Sequence, residues 1–105
     1  MTVWREKGSL GELSVNPSAT IHHTAHLDYT GGLMIDHHVD ISANVMIYTH
    51  THQFHHACWR DLPSQSCGKV IEHHAFISPN CFITANCIRI GAHSVIGANS
   101  YPPRS

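Results

Sequence analysis

Branched aliphatic residues recur every six positions along this chain: Val15, Ile21 and Leu27, then Ile35, Ile41 and Ile47, then Ile71, Ile77 and Ile83, and finally Ile90 and Ile96. A period of six matches neither the 3.6 of a helix nor the two of a strand, so the pattern is first of all an internal repeat. Four residues after each aliphatic stands a small or slender one: Ala19, Ala25, Gly31, Val39, Val45, Thr51, Ala75, Cys81, Cys87, Ser94 and Ser100. One large and one small inward position per hexapeptide suits a short parallel strand followed by a turn. Three such units close one triangular coil and bury the aliphatic ladder along its axis. The spacing predicts an all-β solenoid of about four triangular coils.

The breaks in phase fit this grouping. Leu27 to Ile35 spans eight residues, Ile47 to Ile71 twenty-four and Ile83 to Ile90 seven, each after a third unit, so every insertion is expected at the same corner. The position three after each aliphatic is Asn or His in eight units (His38, Asn44, His50, His74, Asn80, Asn86, His93 and Asn99) and Ser18, Thr24 or Thr30 in the others. Asn and His are among the few side chains that tolerate a positive φ, which a tight corner requires. Turn chemistry thus accounts for several of the twelve histidines before any chemical role is assigned. For the pairs His37-His38 and His73-His74 metal binding is the competing reading.

The length allows one domain. Residues 1–14 are a polar lead-in with Gly8 and Gly11, whose shape the sequence does not fix; residues 15–100 carry the repeat; and residues 101–105 are a short tail. Residues 53–69 abandon the hexapeptide rule yet hold Phe54, Trp59, Arg60 and Leu62, an extended loop expected to pack on its own coil or on a neighbouring subunit. Six basic and seven acidic residues leave no basic stripe for nucleic acid or an anionic membrane. No apolar run approaches the roughly eighteen residues of a membrane span, and Trp4-Arg5-Glu6-Lys7 is too polar for a signal core, so a cytoplasmic protein is expected. Cys81 and Cys87 fall on small inward positions as compact apolar fillers, whereas Cys58 and Cys67 lie in the loop, where a disulfide is an open alternative.

The segments Gly31-Gly32-Leu33-Met34-Ile35-Asp36 to Ile41-Ser42, Ile47-Tyr48-Thr49-His50-Thr51-His52 and Ile90-Gly91-Ala92-His93-Ser94-Val95-Ile96-Gly97-Ala98-Asn99-Ser100 resemble the hexapeptide-repeat acyltransferases. That family includes galactoside, maltose, serine and nodulation-factor O-acetyltransferases. The resemblance implies a left-handed parallel β-helix; the hand comes from the family, since spacing does not show it. It also implies a homotrimer with active sites between adjacent prisms, and acetyl-CoA as cosubstrate. His52, seventeen residues after Ile35 where a strand gives way to the extended loop, matches the family's catalytic histidine. An imidazole suits the removal of a proton from an acceptor hydroxyl or amine as it attacks the thioester. Phe76, Ser78 and Ala98 match residues along the pantetheine path, Trp59 and Arg60 belong to the loop shaping the acceptor side, and His22 or His23 lies nearest to the position of the asparagine that assists the base in sugar-modifying members. In the family a further repeat unit, a Thr-Lys and a closing helix follow the Ala-Asn-Ser motif; here Pro102 stands where the twelfth aliphatic would be.

Two other classes compete. The γ-class carbonic anhydrases share the prism and bind zinc between subunits through three histidines, and His50 with His55 gives one matching His-x4-His spacing. Three neutral imidazoles and an open position would yield a zinc-bound hydroxide. The third reading is a β-helix module without turnover.

Overall fold

The computed structural model describes residues 1–52, 64–66, 68–85 and 87–102, apart from the side chains of residues 51, 52 and 64–66. Trp59, Arg60, His55, His56, Cys58, Cys67 and Asn86 lie outside the described residues. No helix occurs among those described, and the chain is all-β.

Among the described residues twelve short strands form three four-stranded parallel sheets, and a fourth sheet is a two-stranded hairpin. The first sheet holds β1 (Thr2–Trp4), β4 (His26–Asp28), β7 (Met46–Ile47) and β12 (Phe82–Ile83). In the second are β2 (Leu13–Val15), β5 (Leu33–Ile35), β10 (Lys69–Ile71) and β13 (Arg89–Ile90). The third comprises β3 (Thr20–Ile21), β6 (Asp40–Ile41), β11 (Phe76–Ile77) and β14 (Val95–Ile96). The hairpin pairs β8 (His50–His52) with β9 (Ser64–Ser66) antiparallel.

The six-residue phase and the strand register coincide. Val15 stands beside Ile35, Ile35 beside Ile71 and Ile71 beside Ile90. Ile21, Ile41, Ile77 and Ile96 form the equivalent ladder in the third sheet, and Leu27, Ile47 and Ile83 in the first. These aliphatics are essentially buried in the middle of each ladder, together with Ala25, Val39, Val45, Ala75, Cys81 and Cys87 at the small positions. The ladders open at their ends, where Val15 is 37% exposed against 0% for Ile41 and Ile77. Each buried aliphatic contributes roughly 1.5–3 kcal/mol of transfer free energy.

Strands β8 and β9 of the hairpin were not anticipated, and neither was β1. The lead-in is not outside the pattern, because Val3 in β1 stands beside Leu27 and supplies the first sheet with a fourth strand. Its sequence gives no six-residue signal because the connection from β1 to β2 holds eight residues, 5–12. Gly11 in this connection presses on backbone: a Cβ there would lie 2.0 Å from the Tyr29 carbonyl oxygen and 2.4 Å from that of Thr30.

The turns divide into two kinds. Those from the second sheet to the third and from the third to the first are short, and His38, Asn44, His74, Asn80, His93 and Asn99 in them have φ between 57° and 62°. Each such turn leans on its neighbour: the N–H of His74 donates to the His37 carbonyl, that of His93 to the His73 carbonyl and that of Asn80 to the Ala43 carbonyl. Ser18 and Thr24 serve differently from their Asn and His counterparts, since their hydroxyls accept the N–H groups of His38 and Asn44. His50 departs from the turn expectation. It sits in β8 and is not among the positive-φ residues. The connections from the first sheet to the second are longer, and all the insertions, including the hairpin, occur there.

Candidate functional site

The long connections converge on a buried carboxylate. Asp28, the last residue of β4, is 0% exposed. The Thr30 hydroxyl and N–H donate to its Oδ1 at 2.5 and 3.0 Å, the Thr49 N–H donates to Oδ2 at 2.9 Å, and His50 Nδ1 meets Oδ2 at 2.6 Å. Burial pushes the Asp28 carboxyl up, but these hydrogen bonds from Thr30, Thr49 and His50 outweigh it and hold the group below its ordinary value. The buried Thr49 hydroxyl donates to the Asp28 carbonyl and accepts the Gly31 N–H, which joins the connection at 29–32 to the one that begins at Tyr48.

His50 is held from both sides. Its Nε2 lies 2.9 Å from Glu6 Oε1, opposite the Asp28 contact, and its side chain is only 9% exposed. The Glu6 N–H donates to the Thr30 hydroxyl, and the Trp4 ring meets His50 edge-on at 5.6 Å. With a carboxylate at each ring nitrogen, filling both contacts takes an N–H on each. Asp28, His50 and Glu6 thus tie the end of β4 and two separate connections into one cluster at the root of the β8–β9 hairpin. The backbone of His52, two residues further along β8, stands opposite Ser64; its side chain lies outside the described residues.

The remaining expected site residues fall elsewhere. Phe76 is in β11 and 38% exposed on the outside of the third sheet. Ser78 follows it in the turn toward the first sheet and donates its N–H to the Ile96 carbonyl at 3.0 Å. Ala98 is exposed in the equivalent turn one strand further on, between Gly97 and Ser100, which line an open groove of about 380 Å³. His22 lies in the same column of turns, two strands before Ser78, where its Nδ1 is 2.8 Å from the Thr24 hydroxyl and its ring stacks on His23 at 4.3 Å. Ser78, Ala98 and His22 therefore share one column of turns, and His50 and His52 occupy another.

Lys69 was missed by sequence reasoning. It continues the inward ladder of Leu13 and Leu33, yet it is a cation and only 2% exposed. Its ammonium donates to the Thr84 carbonyl at 2.8 Å and to the Cys87 carbonyl, and so closes the connection from β12 to β13. Asp28 and Glu6 were missed as well. The only available signal was that Asp28 directly follows an inward aliphatic and opens an insertion.

A second concentration of imidazoles lies in the turns between the second and third sheets. His37 stacks on His73 at 5.0 Å, His38 on His74 at 4.9 Å and His74 on His93 at 4.8 Å. Partial desolvation beneath these rings, then the like charges of His93, His38, His73 and His37, push the exposed His74 imidazole below its ordinary value. Nearby Arg89 Nε meets Glu72 Oε2 at 2.5 Å.

Comparison with protein-family models, with curated proteins and with solved structures returned no match. Among the described residues no helix is long and apolar enough to cross a membrane.

Proposed function

We propose that this chain is a hexapeptide-repeat acyltransferase. It folds as a left-handed parallel β-helix, assembles as a homotrimer and moves an acetyl or similar acyl group from coenzyme A to a hydroxyl or amine of a small acceptor such as a sugar. The observation that carries the reading is the position of β8: it leaves the three-sheet pattern directly after the sixth repeat unit and carries His52. In the resembled family the catalytic histidine stands at that exit.

In this reading His52 takes the acceptor proton as the acceptor oxygen or nitrogen attacks the thioester carbonyl, and coenzyme A leaves as its thiol. The Asp28–His50–Glu6 cluster fixes the root of the strand that bears the base, which keeps the base in attacking geometry. Phe76, Ser78 and Ala98 line the pantetheine path. Within one chain they lie on the third sheet and the turns that follow it, away from β8, so the site is completed when a neighbouring subunit sets its third sheet against the hairpin. Trp59, Arg60 and His22 serve the acceptor side.

The zinc-hydroxide alternative needs a ring nitrogen of His50 for the metal, and both meet carboxylates. For the module without turnover no specific observation speaks. The test is incubation of the full chain with acetyl-CoA and a panel of sugars and amines while thiol release is followed, with coenzyme A binding measured in parallel by calorimetry. Acceptor-dependent release together with saturable binding is the expected result. The absence of both release and binding would overturn the proposal.

A further inference from the structure

Turn chemistry accounts for His38, His74 and His93, whose φ values of 57°, 60° and 61° favour Asn, His or Gly. It does not account for His37 and His73, which precede two of them and are not among the positive-φ residues. The equivalent places in the other two turns of the column hold Pro17 and Ala92, so the backbone makes no demand for an imidazole there.

Side-chain geometry supplies a reason. One ring nitrogen each from His37, His73 and His74 lie within 4.8 Å of one another. Nδ1 of His73 and Nδ1 of His74 are 3.1 Å apart, close to the edge of roughly 3.3 Å that a tetrahedron with metal–nitrogen arms of about 2.0–2.1 Å would have. His37 Nδ1 lies 2.8 Å from Asp36 Oδ1. A carboxylate accepting the Nδ1–H hydrogen bond leaves Nε2 with its lone pair free for a metal, the arrangement by which an outer carboxylate orients a metal-bound histidine. His37 and His73 are partly exposed and His74 is exposed, so an ion reaches them from solvent.

We infer that His37, His73 and His74 form a binding site for a divalent late first-row transition metal ion such as zinc, with Asp36 as the positioning residue behind His37. Neutral imidazoles suit such ions, and three of them leave an open position for water or a fourth ligand. The site lies in the column of turns between the second and third sheets, apart from the β8–β9 hairpin, and it does not depend on the acyltransferase reading.

The test is a calorimetric zinc titration of the full chain, produced without a histidine tag and stripped with chelator. One zinc per chain is expected. The double variant His37→Gln/His74→Asn, in which Asn retains tolerance of positive φ at residue 74, should bind at least about tenfold more weakly, while His52→Ala and His22→Gln bind as the parent does. Asp36→Asn should weaken zinc roughly 10- to 100-fold, and Asp36→Glu should restore part of the loss. Absence of saturable binding, a double variant that binds like the parent, or a loss caused by His52→Ala instead would overturn the assignment. Should the double variant fail to fold, imidazole 15N spectra of the parent chain decide: zinc-induced shifts at His37, His73 and His74 support the site, and shifts confined to other histidines refute it.

Discussion

At the scale of the residue, Asp28 has the most consequence. A carboxylate shut away from water is tolerated because Thr30, Thr49 and His50 satisfy its oxygens, and removing its charge takes away one of the two carboxylates that His50 meets. Asp28→Asn is expected to lower unfolding free energy by about 3–5 kcal/mol in urea titrations at neutral pH. The pH dependence has a definite sign. Because the folded carboxyl lies below its ordinary value of 3.8, the unfolded chain binds a proton first as pH falls. Its stabilisation is therefore complete well above pH 3.8 and is lost as pH falls from there through the folded value. Denaturant midpoints measured between pH 6 and pH 2.5 should fall more steeply for the parent than for Asp28→Asn; parallel curves would contradict the role given to this group. Of this cluster only His50 was singled out in the sequence, and as a turn residue or zinc ligand, since the hexapeptide phase describes inward aliphatics and gives no role to Asp28 or Glu6. Lys69 was hidden for the opposite reason, because it occupies a place in the ladder where its neighbours Leu13 and Leu33 point to an apolar residue.

Strands of two or three residues hold few backbone hydrogen bonds each, so at the scale of the element the ladders and turns carry specificity. Ile77 has an isoleucine on either side, Ile41 and Ile96, and is fully buried. Ile77→Ala should cost about 2–5 kcal/mol, whereas Val3→Ala, at a ladder end and 38% exposed, should cost well under half of that by the same urea titration. The turns obey a separate rule: Asn80 has a φ of 62°, so Asn80→Val should destabilise by about 1–2 kcal/mol while Asn80→Gly stays near the parent. Equal effects of the two would contradict the conformational explanation. These elements were legible in advance, because an aliphatic every six residues and an Asn or His three later are local statements about register and backbone. Strand β1 was not, since a single valine in a strand eight residues before the next one has no period to reveal it. His50 fitted the turn rule by spacing alone and was drawn into β8 by Asp28 and Glu6, partners that lie at least 22 residues away.

For the whole molecule, the longer connections run from the first sheet to the second, and among the described residues two columns of short turns join the other sheets. That division separates the proposed chemistry: the base on β8 in one column, the coenzyme path on the third sheet and the turns beyond it, and the imidazole-rich turns in the remaining column. It makes the assembly of chains part of the catalytic proposal, since no single chain sets His52 beside Ser78 and Ala98. A general base contributes typically about 10²- to 10⁴-fold to rate, while binding of a cosubstrate it does not hold is unaffected by its loss. The decisive comparison is therefore kcat for thiol release from acetyl-CoA by the parent and by His52→Ala, at saturating acceptor and with coenzyme A affinity measured alongside. A fall of about 10²-fold or more with unchanged coenzyme affinity is the expected result, and an undiminished kcat in His52→Ala would contradict the assignment of the base.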